Sequence, residues 1–149
     1  MILGIDPGTK GGLAVLNSAG QPLFLYDLED CTLKEAEQAV KEAARLAWYG
    51  VCYLEKVGYI KGDGGKGAFT FGKVYGLLYG AVLAHKLEVI DVFPQRWQGA
   101  MQCLTGGVKR VSRLRAKSLW PSISKNITDN TADALLIAEY GRRQILGLR

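Results

Sequence analysis

Three short apolar runs near the start of the chain are separated only by turns that are too short to hold a helix. The runs are ILGID, GLAVLN and LFLYDL, and the connections PGTKG and NSAGQP are rich in turn-forming residues. Short connections of this composition are typical of hairpins. We therefore expect the first three strands to form an antiparallel meander, and the core to be built on a sheet.

Helices and strands alternate in the rest of the chain. Thr32 and Glu35 form a capping-box pattern at the start of a helix that Gly50 can end. VCYLE (51–55) and LEVIDVF (87–93) are strand-like, and AFTFGKVYGLLYGAVLAH (68–85) has helical spacing. Pro94 suits the first position of a third helix, a basic helix follows, and residues 129–147 form the last one. A strand that returns after each helix implies parallel neighbours, so the sequence predicts an α/β fold with a mixed sheet.

Length and composition limit the classes of protein that this chain can represent. Its 149 residues, with 48% hydrophobic and 22% charged residues, fit one globular domain spanning 1–149. The net charge of +5 favours nucleic acid as a partner. Three cysteines without CxxC spacing argue against a disulfide framework or a zinc site.

The N-terminus shows no targeting pattern. Met1 leads directly into the first strand without a basic segment, and we find no apolar run of about 20 residues that could span a bilayer. The expectation is a soluble, cytoplasmic protein with no membrane partner.

Acidic residues end two of the predicted buried strands. Asp6 ends ILGID and Glu55 ends VCYLE, and if these strands are neighbours, both carboxylates emerge at one edge of the sheet. Asp129 and Asp133 share one face of the last helix, and no Lys or Arg between residues 126 and 140 can pair with Asp133. Four converging carboxylates repel one another unless cations join them. Hard oxygen ligands suit Mg²⁺ or Mn²⁺, and two such ions can cleave a phosphodiester.

Each acid also has a simpler interpretation. Asp6 can start an Asx turn, Glu55 can pair with the adjacent Lys56, and Asp129 is a favoured helix N-cap. Asp133 is the hardest to explain structurally, because its neighbours are apolar.

Basic and aromatic residues supply candidate DNA contacts in two clusters. The first lies around a glycine-rich loop from residue 56 to 73, and the second on the basic helix; a solvated helix face is the alternative. The candidates are Lys10, Lys56, Lys61, Lys66, Phe69, Lys73, Lys109, Arg110, Arg113 and Lys117. Core packing is the simpler interpretation for Tyr75, Tyr79, Trp97 and Trp120, and capping or packing for His85.

Five segments together resemble the RuvC family of Holliday junction resolvases, in particular its phage-type branch. They are LGIDPGTKGGLAVL, LEKVG, FTFGKVYG, VFPQRWQ and TADALLIAEYGRR, in that order. The resemblance implies a ribonuclease H-like fold with a five-stranded mixed sheet, and a two-metal nuclease site containing Asp6, Glu55 and Asp133. The fourth ligand is Asp129 by the phage-type pattern, whereas the bacterial pattern places it at Asn130.

The residues and the resemblance together predict a structure-selective, Mg²⁺-dependent DNA endonuclease acting at Holliday junctions. Two symmetry-related strands at a junction favour a homodimer, with helix 67–85 as its interface. The resemblance to the phage-type branch of the family suggests a phage or prophage gene. No nucleotide cofactor is expected. The alternatives are a non-catalytic branched-DNA-binding module and a phosphate-binding fragment of the actin or sugar-kinase type, which needs a longer chain than this one.

Overall fold

The structure, a computed structural model, describes residues 1–47, 50–58, 64–104, 106 and 108–148. Lys61, one of the predicted DNA contacts, lies outside the described residues. The strands are β1 (Ile2–Asp6), β2 (Gly12–Leu16), β3 (Pro22–Asp27), β4 (Val51–Glu55) and β5 (Glu88–Val92). The helices are α1 (Leu33–Leu46), α2 (Gly65–Ala84), α3 (Pro94–Ala100), α4 (Lys109–Leu119) and α5 (Asp129–Leu146), with a 3₁₀ turn at Pro121–Asn126.

The five strands form one mixed sheet in the order β3-β2-β1-β4-β5. β1 pairs antiparallel with β2, and β2 pairs antiparallel with β3, so the meander is confirmed. β4 is parallel to both β1 and β5. The sheet is therefore the predicted α/β, ribonuclease H-like arrangement, and it places β1 and β4 side by side at its centre.

The two faces of the sheet bury separate apolar clusters. Alternate residues of β1, such as Ile2, lie in a cluster with α3, α4 and α5, where Trp97 and Leu135 are fully buried. The other face, which includes Leu3, packs on α1 and α2. Side chains on a strand point alternately to opposite faces, so Asp6 lies on the same face as Ile2, beneath α5.

A glycine lets α5 pack closely on the central strand. A Cβ atom on Gly4 would collide with the carbonyl oxygen of Ala134 and the backbone nitrogen of Ala138. The absence of a side chain at this position brings the N-terminal half of α5 directly over β1. The same contact fixes the start of α5 near the end of β1, where Asp6 lies.

Several local predictions are confirmed and two are wrong. Thr32 and Glu35 form the predicted capping box, and Pro94 opens α3. The helix predicted over 68–85 is confirmed as α2, which begins three residues earlier, at Gly65. Lys66, Phe69 and Lys73 are therefore helical, although the basic cluster was expected on a loop from residue 56 to 73. The segment after α4 was expected to be a loop, but it contains the 3₁₀ turn at Pro121–Asn126. Helix propensity underestimated α2 because its apolar face packs on α1 and the sheet.

Helix α2 also corrects the expectation about long apolar segments. Its 20 residues are apolar enough, by length and composition, to cross a membrane, although most of that length lies outside the core. Val74 and Leu78 are buried, whereas Phe69 and Leu83 are exposed. One side of α2 packs on the core, and the side that faces away from it is apolar as well.

Candidate metal and nucleic-acid site

The register of the two central strands brings Asp6 and Glu55 together. Gly4 lies opposite Tyr53 and Ile5 opposite Leu54, so the next residues on these parallel strands are Asp6 and Glu55. Both are strand ends at the same edge of the sheet, as the alternation of their strands predicted. The two carboxyl groups are close enough for the charge of Glu55 to raise the pKa of Asp6.

Helix α5 brings the other two acids to this edge. Thr128 caps the helix by accepting a hydrogen bond from the Thr131 amide, so Asp129 is the first helical residue and not the N-cap. Asp133 follows one turn later and is largely buried, with its side chain 13% exposed. Asp129 is more open, with a side chain that is 44% exposed. The four predicted acids therefore lie at one end of the sheet, three of them in the interior.

Burial makes this set of charges unfavourable. Desolvation by burial, followed by the nearby charges of Glu55 and Asp133, raises the pKa of Asp6 well above its ordinary value. Burial likewise raises the pKa of Glu55 and the pKa of Asp133. An acidic cluster with raised pKa values is costly to the free protein and favours any cation that enters it.

Lys109, predicted as a DNA contact on the basic helix, lies beside the acids. Its ammonium is 3.7 Å from Asp6 Oδ2 and 4.0 Å from Asp133 Oδ2. It also donates a hydrogen bond of 3.2 Å to the Lys10 carbonyl. A remote lysine therefore pairs with Asp133, although the sequence offered none nearby. The separation of 24 positions between these residues gave no local signal.

The acid cluster fits divalent cations in its donor chemistry, although the arrangement is not yet a complete metal cage. Among residues 1–47, 50–58, 64–104, 106 and 108–148, no three acidic, histidine or cysteine side chains are grouped tightly enough to hold an ion directly. Within the described part of the chain, the buried Asp133 Oδ1 lacks a hydrogen-bond partner. A buried, unsatisfied oxygen atom is a suitable ligand for a hard cation.

Neighbouring side chains hold two of the ligand candidates in place. The Trp97 indole donates a 2.8 Å hydrogen bond to Glu55 Oε1, so a residue predicted only as a core anchor also orients the acid. The Arg113 guanidinium lies 3.1 Å from Asp129 Oδ1. Both contacts leave the opposite carboxylate oxygen available to other partners.

Asn130, the alternative fourth ligand, is held by acids at the end of β3. Its amide nitrogen donates to Asp27 Oδ1 at 3.0 Å and to Glu29 Oε2 at 3.1 Å. Asp27 also accepts a 2.6 Å hydrogen bond from Thr128. Since both amide hydrogens are used, only the Asn130 oxygen can serve a cation. Sequence reasoning did not single out Asp27 or Glu29, because the contact spans about a hundred residues.

The predicted DNA contacts surround this edge in three groups. Lys10 forms a 3.2 Å salt bridge with Glu29, and Lys56 a 3.5 Å salt bridge with Asp91, both at exposed positions. Lys66, Phe69 and Lys73 lie exposed along the first half of α2. On α4, Arg110 is exposed and Lys117 is partly exposed, whereas Lys109 and Arg113 turn toward the acids.

The sheet order, the parallel central pair and the helix over it define a ribonuclease H-like fold. Solved structures with this fold include Thermus thermophilus RuvC in complex with a Holliday junction substrate, with a TM-score of 0.67 and 18% identity over 98% of this chain and 95% of that one. A second Thermus thermophilus RuvC structure has a TM-score of 0.61 and 17% identity over 98% and 96%. No family model and no curated protein matches the sequence. The chain thus shares the RuvC fold over nearly its whole length.

Proposed function

We propose that this protein is a structure-selective DNA endonuclease that hydrolyses phosphodiesters at Holliday junctions and other branched DNA. The observation that carries the proposal is the convergence of Asp6, Glu55 and Asp133 at one edge of a RuvC-like sheet, with raised pKa values. Acids that a fold concentrates and whose pKa values it raises are typical of a functional site.

Asp6, Glu55, Asp133 and Asp129 would hold one or two Mg²⁺ ions, with Mn²⁺ able to substitute. Bound there, the ions would supply an activated water and stabilise the leaving oxygen of the cut phosphodiester. The chain itself sets the positions of these carboxylates. Trp97 fixes the orientation of Glu55, and Gly4 lets α5 carry Asp133 toward Asp6.

Lys109 would balance the charge of the site before and after ion binding. Its ammonium lies within 4.0 Å of both Asp6 and Asp133, so it lowers the repulsion between them in the free protein. When cations occupy the acids, the same side chain is released toward the phosphate that approaches from solvent. Lysine on a flexible stem can make this change with little backbone movement.

The exposed cations around the site would hold the DNA backbone. Lys10, Lys56, Lys66, Lys73 and Arg110 are exposed and Lys117 is partly exposed, and Lys61 belongs to the same predicted set. Each neutralised phosphate releases counterions, so the affinity would fall steeply with salt concentration.

Two copies would act on a junction as a twofold dimer through α2. Gly72, Gly76 and Gly80 recur every four residues, and a Cβ atom on any of them would meet open space. A second helix can approach such a stripe closely, and the exposed Leu83 adds apolar surface beside it. If a second copy covers this face, the high apolar content of α2 is explained in a cytoplasmic phage or prophage protein.

Cleavage of a synthetic four-way junction tests the proposal. With Mg²⁺ the wild-type protein should cut strands near the branch point, and Asp6→Asn should abolish cutting while junction binding in Ca²⁺ persists. A linear duplex of the same sequence is the control substrate. Binding without any cutting by the wild type would support the non-catalytic module instead, and cutting by Asp6→Asn at the wild-type rate would overturn the assigned site.

A further inference from the structure

Two buried tryptophans donate indole hydrogen bonds of the same length to different kinds of acceptor. Trp120 Nε1 donates a 2.8 Å hydrogen bond to the carbonyl oxygen of Gly20, in the turn between β2 and β3. Trp97 Nε1 donates a 2.8 Å hydrogen bond to Glu55 Oε1, across 42 positions of the chain. A buried indole needs an acceptor, and a backbone carbonyl is sufficient for that purpose. The pairing of Trp97 with a carboxylate therefore needs an explanation of its own.

The Trp97 indole is the fixed partner in this hydrogen bond. Its side chain is fully buried in the apolar cluster that includes α5. Pro94 opens α3 directly after β5, the neighbour of β4, and Trp97 follows one turn later. Glu55, by contrast, is the last residue of β4 and is only partly buried. Because a ring in a close-packed core has little freedom, the hydrogen bond sets the position of the Glu55 carboxylate.

An indole orients an acid without neutralising it. The Trp97 side chain is neutral and has one hydrogen to donate. Glu139 is different, because the guanidinium groups of Arg142 and Arg143 bring positive charge to its oxygens. Trp97 therefore holds Glu55 Oε1 while adding no positive charge to the acidic edge.

A carboxylate with one oxygen held by a donor discriminates between hard cations. Ca²⁺ accepts more oxygen ligands than Mg²⁺, and it often binds both oxygens of one carboxylate. Mg²⁺ demands a compact octahedral set and is usually bound by few carboxylates together with water. With Oε1 engaged by the indole, Glu55 offers Oε2 more readily than both oxygens, which suits the smaller ion.

We propose that Trp97 is a positioning residue that limits Glu55 to one coordinating oxygen and thereby makes the acid cluster select Mg²⁺ over Ca²⁺. The proposal rests on the proposed function for the presence of a cation at these acids, but it concerns the choice of cation and not the reaction. Trp97→Phe keeps an aromatic ring in the core and removes the donor. Glu55 is then free to turn and present both oxygens, which weakens Mg²⁺ binding and favours Ca²⁺.

The test measures cation binding to the free protein, without DNA. Mn²⁺ bound to the protein is followed by electron paramagnetic resonance and displaced by Mg²⁺ or by Ca²⁺, which gives both dissociation constants. In Trp97→Phe the preference for Mg²⁺ over Ca²⁺ should fall about 10-fold or more, the size expected when a ligating carboxylate loses its hydrogen-bond partner. Trp120→Phe is the matched control. It removes an indole donor at the Gly20 turn, at the end of β2 opposite Asp6, and should leave the preference unchanged.

A second measurement uses the wild type and does not depend on the stability of either variant. The ¹H resonance of the Trp97 indole reports its hydrogen bond, and it should keep its downfield position when Mg²⁺ saturates the protein. An upfield shift on addition of Mg²⁺ would overturn the proposal, because the indole would no longer hold Glu55.

The outcomes separate this proposal from the one on which it rests. A preference for Mg²⁺ that is the same in Trp97→Phe and in wild type overturns the role of Trp97, even if the wild type cuts the junction. A preference that depends on Trp97, in a protein that does not cut in Mg²⁺, retains this role and contradicts the endonuclease. Equal changes in Trp97→Phe and Trp120→Phe, or no binding of Mn²⁺ by the wild type, would also overturn the role of Trp97.

Discussion

Two buried acids on α5, Asp133 and Glu139, lie less than two turns apart in opposite surroundings. Glu139 accepts hydrogen bonds of 2.7 and 2.9 Å from Arg142 and another of 2.9 Å from Arg143. Within the described residues, the ion pair of Asp133 is with the Lys109 ammonium at 4.0 Å, and its Oδ1 has no hydrogen-bond partner. The fold neutralises one acid and leaves the other available, which is the difference expected between a structural and a functional carboxylate.

The pKa values of the two acids follow the same division. Burial raises the pKa of Asp133. Burial also acts to raise the pKa of Glu139, but the hydrogen bonds from Arg142 and Arg143 outweigh it and hold the pKa below its ordinary value. The opposite pKa shifts on one helix show that burial alone does not set the direction of the shift. The hydrogen-bond and ion-pair partners of each carboxylate decide it.

The largest expected effect is on catalysis. Asp133→Asn should lower the rate of junction cleavage by at least about 100-fold, because it removes a carboxylate that would hold the catalytic cations. Glu139→Gln should leave the rate within about twofold at 25 °C, since its partners lie away from the acidic edge. Single-turnover cleavage measures both. Equal losses in the two variants would break the distinction between the acids.

For the free energy of unfolding we expect the larger loss at Glu139 and not at Asp133. Glu139→Gln should lower the free energy of unfolding by about 2 kcal/mol at pH 7, because two buried arginines lose their charged partner. A lowered pKa means that this contribution is complete above the unfolded pKa of about 4.3 and is lost as the pH falls through the folded value. Urea unfolding at pH 7 and pH 3 checks it. A loss that is the same at both values would contradict the ion-pair account.

A smaller effect is expected when exposed cations are removed. Replacing Arg110 and Lys117 together by alanine should lower the slope of log affinity against log salt by about 2, if each contacts one phosphate. Lys41→Ala on α1 is the control, because Lys41 is exposed on the helix that covers the other face of the sheet. Anisotropy titrations over a range of salt concentrations measure the slope. An unchanged slope would place the DNA on another surface.

The smallest expected effect is a gain in stability at the acidic edge. Without divalent ions, the free energy of unfolding of Asp6→Asn should be about 1 kcal/mol higher than that of the wild type at pH 8. The substitution removes one of the negative charges that repel one another at the acidic edge. A raised pKa means that the wild type loses stability as the pH rises from about 4 through the folded value, so the gain should vanish near pH 4. Thermal melts across this range measure it. A variant less stable than wild type at pH 8 would show that Asp6 has a structural role.

Sequence patterns predicted the sheet and three of the acids because both depend on local rules. Alternation along β1 and β4 and their parallel pairing are sufficient to place Asp6 beside Glu55. What the patterns missed depends on contacts between distant segments. Lys109 reaches Asp133 from a different helix, and Asp27 and Glu29 bind Asn130 across the fold. Such contacts follow from packing, which periodicity does not encode.

Diffraction from crystals grown with Mn²⁺ tests most directly whether the unneutralised acids exist to hold cations. The account predicts anomalous peaks between Asp6, Glu55 and Asp133, with the Lys109 ammonium moved away from them, and no peak at Glu139. Crystals saturated with Mn²⁺ that show no peak at the acidic edge, with Lys109 still paired to Asp6 and Asp133, would contradict it.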